Sequence, residues 1–192
     1  MTTTAATSQR HATRPELVRT ARLTGLLYLG LAITGMLGYL LVRNQLYVAD
    51  DAQATLNNLT NNPTLARLGI VLEMGVVITQ ALVALWFYRL FARVNTFAAG
   101  SLAAFGLINA TAILASAALL ATAFDVSQDP SLTVTGGTAA TTQLLYAVSG
   151  HLWMIGGIFF GLWLIPMGWL ALRSGWMPAA LGWILMIGGV GY

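Results

Sequence analysis

Long apolar runs almost free of charge occupy most of this chain from about residue 23 onward, and they fix the solvent in which it folds. A helix needs about 20 apolar residues to cross a hydrocarbon core about 30 Å thick. Composition agrees, with 57% hydrophobic and 8% charged residues, against about 25% charged in an ordinary soluble domain. In lipid a spanning segment with free ends must satisfy its own backbone polar groups, so each run reads as a helix. The alternating segments of about 10 residues that build a transmembrane barrel are absent. The fold class expected is all-α: a polytopic transmembrane helical bundle.

Five spans can be drawn, over about Leu23–Val42, Ala66–Phe91, Phe97–Phe124, Thr141–Leu172 and Pro178–Tyr192. They define a tail over 1–21 and one bundle domain over 22–192, with outer loops at 43–65 and 125–140. In the first loop Asp50 or Asp51 can cap a short helix that lies on the membrane surface, with Leu56 and Leu59 toward the bilayer. The second loop, rich in Ser, Thr and Gly, reads as irregular. Pro166 is expected to bend the fourth span, since it cannot donate to the Leu162 carbonyl. The fifth span, at ~22 Å of helix, is short for a crossing. It ends either at the outer interface, with Tyr192 as an anchor, or as a fragment of a longer segment.

The charge pattern orients the bundle. All nine basic residues are arginine. Seven of them (Arg10, Arg14, Arg19, Arg22, Arg89, Arg93 and Arg173) fall at one end, against Arg43 and Arg67 at the other. The excess predicts a cytoplasmic N-terminus, a C-terminus of this chain outside, and residence in the inner (cytoplasmic) membrane. Because the arginines flank spans, topology accounts for the basic pI and no nucleic-acid partner is expected. The expected partners are membrane lipids and other membrane protein subunits. With no cysteine in the chain, disulfides, thiolate metal sites and cysteine nucleophiles are excluded.

Three polar side chains fall at membrane depth: Glu73, ~10 Å inside the second span, His151, ~15 Å inside the fourth, and Asn109 near the middle of the third. An ionisable group at the centre of a membrane helix costs at least ~2.5–3.5 kcal/mol, so it should face the interior with a partner. Glu73 and His151 lie at similar depth and are expected to pair. Gln80, seven residues after Glu73, shares its helix face, and Ser116 shares a face with Asn109. Such a cluster can be structural, or a relay or ligand site. His151 could also be an axial ligand to haem or to a chlorophyll-type pigment, although no cofactor is predicted outright and no protein metal cluster is expected.

The small residues speak to packing. Gly157 and Gly161 form a Gly-x-x-x-Gly pair, and Gly100 with Ala104 a small-x-x-x-small pair. Surfaces of this kind let helices approach closely. Of the deeper tryptophans, Trp153, Trp163 and Trp183 could line a groove. There is no Walker motif, zinc-protease motif or Gly-x-Ser-x-Gly elbow, and therefore no catalytic residue to name.

One stretch carries a resemblance. It runs from Gly157-Ile158-Phe159-Phe160-Gly161 through Arg173-Ser174-Gly175-Trp176-Met177-Pro178 and Leu181-Gly182 to Gly188-Gly189-Val190-Gly191-Tyr192. Arg22-Leu23-Thr24-Gly25, Ala66-Arg67-Leu68-Gly69 and Leu90-Phe91-Ala92-Arg93 extend it upstream. The pattern resembles the bacterial integral membrane family catalogued as domain of unknown function 4386. Members usually continue past the final tyrosine, which implies a sixth span in a complete protein. The resemblance supplies a fold and no activity. Three functional readings are therefore open. The first is a non-enzymatic accessory subunit that packs against a larger membrane complex or binds a lipid-like ligand. The second is a proton-coupled carrier or membrane-embedded enzyme using Glu73 and His151. The third is haem or pigment binding through His151.

Overall fold

The structure is a computed structural model that describes residues 14–134 and 136–191. Expectations resting on residues 1–13 and on Tyr192 lie outside the described residues. The described chain is α-helical, and four of its helices are long and apolar enough to cross a membrane. Helix α1 (Arg14–Gly35) continues through a π-helical segment (Met36–Val42) into the single turn α2 (Arg43–Leu46). After α3 (Ala52–Asn61) come the long helices α4 (Pro63–Phe91), α5 (Thr96–Gln128) and α6 (Thr138–Ser174). A short helix, α7 (Ala179–Val190), closes the described chain.

Local chemistry sets these boundaries. The Asp51 carboxylate accepts from the Ala54 N–H at 2.8 Å and caps α3. Asn95 does the same for α5 through the Ala98 N–H at 2.8 Å. Each side chain satisfies one of the donors that a helix start leaves unpaired. Pro63 opens α4, where its missing N–H costs nothing. Gly175, at φ 71°, ends α6 in the left-handed conformation that glycine adopts most readily.

Several expectations need correction. The first span is longer than drawn: α1 starts at Arg14, where Pro15 and Glu16 suit a helix start, and helix persists to Leu46. The second outer loop shrinks to residues 129–137, because α5 and α6 both extend into it. There Ser131 hydrogen-bonds the Asp129 carboxylate and holds its pKa below the ordinary value. Leu59 does not face the bilayer; it is fully buried against Val42, Leu46 and Phe124. The fifth apolar segment forms only the 12-residue α7, ~18 Å long.

Helix α7 folds back antiparallel on α6. A Cβ added at Gly182 would meet the Gly168 carbonyl oxygen at 2.8 Å, and one added at Gly189 would meet that of Gly161 at 2.7 Å. Only glycine permits backbones this close. Gly161 thus serves helix packing, whereas Gly157 lines a cavity. The Gly100–Ala104 pair makes no close helix contact among the described residues: a Cβ at Gly100 would meet no atom within 4 Å, and Ala104 is exposed. The close approach on α5 is made by Gly106, where a Cβ would meet the Ala84 Cβ at 3.0 Å.

At the end of the bundle carrying the α4–α5 and α6–α7 turns, Phe91 stacks on Trp176 with centroids 5.6 Å apart. The main apolar core begins there, around Phe87, Phe91, Leu102, Trp163 and Leu170. At the other end a second core gathers Val42, Leu46, Leu59, Phe124 and Tyr146. Polar groups enter between these two cores.

Candidate functional site

Glu73 lies on the buried face of α4, and its partner is Arg43 rather than His151. The guanidinium Nη1 sits 3.6 Å from Glu73 Oε1, with the two side chains 8% and 3% exposed. Arg43 reaches this position through the π-helical segment. On an ideal α-helix, twelve residues of about 100° each would place Arg43 ~120° around the axis from the buried Leu31. A π-turn accommodates an extra residue, about 100° of rotation, and this returns Arg43 to the buried face. The wide turn is visible in the Arg43 N–H, which bonds to the Gly38 carbonyl five residues back. Gly38 lets this segment lie against α4, since a Cβ there would meet the Leu72 Cβ at 3.1 Å.

The pair sits in a closed network. Arg43 Nη1 donates to Ser149 Oγ at 3.0 Å, and Nη2 donates to the Tyr146 carbonyl at 2.6 Å. The guanidinium carbon lies 5.5 Å from the centroid of the Tyr39 ring and 5.6 Å from that of Tyr146, within cation–π range. Ser116 donates to Glu73 Oε2 at 2.9 Å, and the Trp153 indole N–H donates to Oε1 at 3.0 Å. Ser116 and Ser149 are 2.7 Å apart. Each hydroxyl has one proton. Because Ser116 gives its proton to Glu73, Ser149 must donate to Ser116 while accepting from Arg43. Donation thus runs one way, from cation through two serines to anion. Gly150 leaves room for the guanidinium, since a Cβ there would come within 3.2 Å of Nη2.

Gln80, two turns further along α4, is in the opposite condition. It is 0% exposed, and neither its amide nitrogen nor its oxygen has a partner. The neighbouring Trp163 indole N–H is also buried and unpaired. Buried amides are ordinarily hydrogen-bonded, so an orphan pair of this kind needs an explanation.

Gln80 lines a cavity of about 620 Å³ together with Asn109, Tyr39, Trp153 and Phe160. Its rim is Met36 and Leu40 on the π segment and Met154 and Gly157 on α6, and the exposure of Met36, Leu40 and Met154 opens it to the side of the bundle. Tyr39 and Trp153, with ring centroids 4.7 Å apart, form the partition between this cavity and the ionic network. Neither Arg43 nor Glu73 lines it.

His151 takes no part in either region. It is exposed on α6, two residues and hence ~200° from the buried Ser149. Any ligand on its imidazole would sit on the outer surface of the bundle. Among the described residues no three His, Asp or Glu side chains converge on one point. Sequence reasoning passed over Ser149, read Arg43 only as a flanking charge, and expected Trp153 to line a groove, which it does, without foreseeing its bond to Glu73. The available signal was the acid itself, because an isolated carboxylate at this depth requires a counter-ion, and Arg43 and Arg67 are the two arginines at that end of the bundle.

No curated protein and no solved structure matches the chain. A family model described as domain of unknown function (DUF4386) matches residues 23–192, so the chain belongs to that family of integral membrane proteins.

Proposed function

We propose that this is a non-enzymatic protein of the cytoplasmic membrane, N-terminus inward, that takes a lipid-like ligand from the bilayer into the cavity between α1 and α6. The observation that carries this reading is the fully buried, unpartnered Gln80 amide in the wall of a cavity of about 620 Å³ with a lateral mouth. Ligand sites typically combine 300–1,000 Å³ of mostly apolar lining with a few convergent polar groups. Native mass spectrometry after extraction in mild detergent tests the proposal. A bound lipid-phase molecule should be retained and then lost when Gly157→Leu fills the cavity mouth. A protein that carries nothing and takes up no added lipid would count against it.

The ionic network is read as scaffold, because both Glu73 oxygens already have donors and Glu73 does not line the cavity. A role as an accessory subunit has separate support. The Gly100–Ala104 pair leaves open space on α5 among the described residues, a close-packing surface that another chain could use. Ala104→Leu would then release a copurifying partner while leaving ligand retention unchanged.

A further inference from the structure

Resting on that reading, we infer that the cavity selects a neutral amphiphile whose head both donates and accepts hydrogen bonds, a hydroxyl or a primary amide on a hydrocarbon chain, and rejects anionic heads. The groups at the site define this chemistry. Gln80 carries an unmet donor and an unmet acceptor side by side in the cavity wall, fully buried so that a head group reaches them only as the side chain turns, and Asn109 adds a second carboxamide to the same lining. A hydrocarbon leaves both unpaired, and a ketone or ester answers only the donor.

Charge decides the rest. Among the described residues no arginine lines the cavity, and Arg43 spends its contacts on Ser149, the Tyr146 carbonyl and Glu73, behind the partition of Tyr39 and Trp153. A carboxylate or phosphate entering the cavity would meet no counter-charge, and an unpaired buried ion is far costlier than a buried hydroxyl. The remaining lining is aliphatic and aromatic, including Leu31, Val76 and Phe160, and suits a chain. At the rim, Met36 and Met154 are flexible side chains that accommodate entering shapes.

The test uses the full chain in phosphatidylcholine nanodiscs with four probes of one chain length: hexadecanol, hexadecanamide, hexadecane, and hexadecanoate at pH 9. Affinity is read by competition against a photo-crosslinkable hexadecanol, with labelled residues mapped by mass spectrometry. Hexadecanol and hexadecanamide should bind at least tenfold tighter than the other two and label the Met36–Met154 rim. Gln80→Leu should lower their affinity about tenfold and leave hexadecane unchanged. Gly157→Leu should remove all binding. Equal affinity for hexadecanoate, or a Gln80→Leu variant that keeps the preference for the alcohol, overturns the inference while leaving a lipid-binding cavity in place. Absence of binding by every probe, with no lipid retained on purification, overturns the cavity reading itself. If Gln80→Leu does not fold, the amide is structural and the inference fails on that result.

Discussion

Polar side chains enter this apolar bundle at two levels of α4, two helical turns apart, and the protein treats them in opposite ways. At Glu73 every strong group is matched: the cation has three polar contacts and two aromatic faces, the anion has two hydrogen-bond donors, and the serines between them share one direction of donation. At Gln80 nothing is matched, although the side chain is equally buried. Burial alone therefore does not tell a structural polar group from one awaiting a ligand; the completeness of its partners does. A complete network fixes one arrangement of helices, whereas an incomplete one beside a cavity stores unmet hydrogen-bonding capacity.

The largest expected effect is at the complete level. Glu73→Leu leaves the Arg43 guanidinium buried without its counter-ion and should cost about 3–5 kcal/mol, read as a fall in unfolding midpoint in detergent. The double variant Arg43→Met, Glu73→Leu should recover most of that loss, since well-packed apolar pairs often replace buried ion pairs at little cost. A single variant as stable as the parent would erase the contrast between the two levels. Next comes Ser116→Ala, which removes the donor to Glu73 Oε2 and the acceptor for Ser149 together. It should cost about 1–3 kcal/mol. An effect near zero would mean that the serine chain does not organise the pair.

The sign reverses at the incomplete level. In ligand-free protein Gln80→Leu replaces an unpaired amide with an apolar group of similar size and should stabilise by about 1 kcal/mol. A fall in unfolding midpoint would instead mean that the amide is satisfied within the bundle, with the unpaired Trp163 indole N–H as a candidate donor.

Much of this was legible in the sequence. Apolar length located the long helices, the cost of a carboxylate in lipid put Glu73 inside, and an acidic cap at Asp50 or Asp51, in fact Asp51, placed α3. What escaped was rotational phase. Arg43 reads as a flanking charge at the end of a span, and only the π segment turns it inward; that change leaves no mark in composition or hydropathy. His151 was judged by depth, yet its angle on α6 points it away from Ser149 and from Glu73. Leu59 was assigned to the bilayer because α3 was expected on the membrane surface, but Leu59 packs into the bundle's own second core. Depth can be counted along one helix, whereas facing depends on all of them. The cavity has no sequence signature, since it is the space left where α1 and α6 do not close on each other.

The smallest effect is expected where the two levels touch. Trp153 bonds to Glu73 on one side and lines the cavity on the other. Trp153→Phe removes the indole donor but keeps an aromatic ring to lie against Tyr39. Interhelical hydrogen bonds within membranes average about 0.6 kcal/mol, and Glu73 retains Ser116 and Arg43, so the loss of stability should be of that order. If the ring is the partition, the variant also keeps the ligand preference of the parent. A loss approaching that of Glu73→Leu, or binding of hexadecanoate by this variant alone, would mean that the levels are coupled through the indole. The ionic network would then belong to the ligand site, and the scaffold reading of Glu73 would have to be withdrawn.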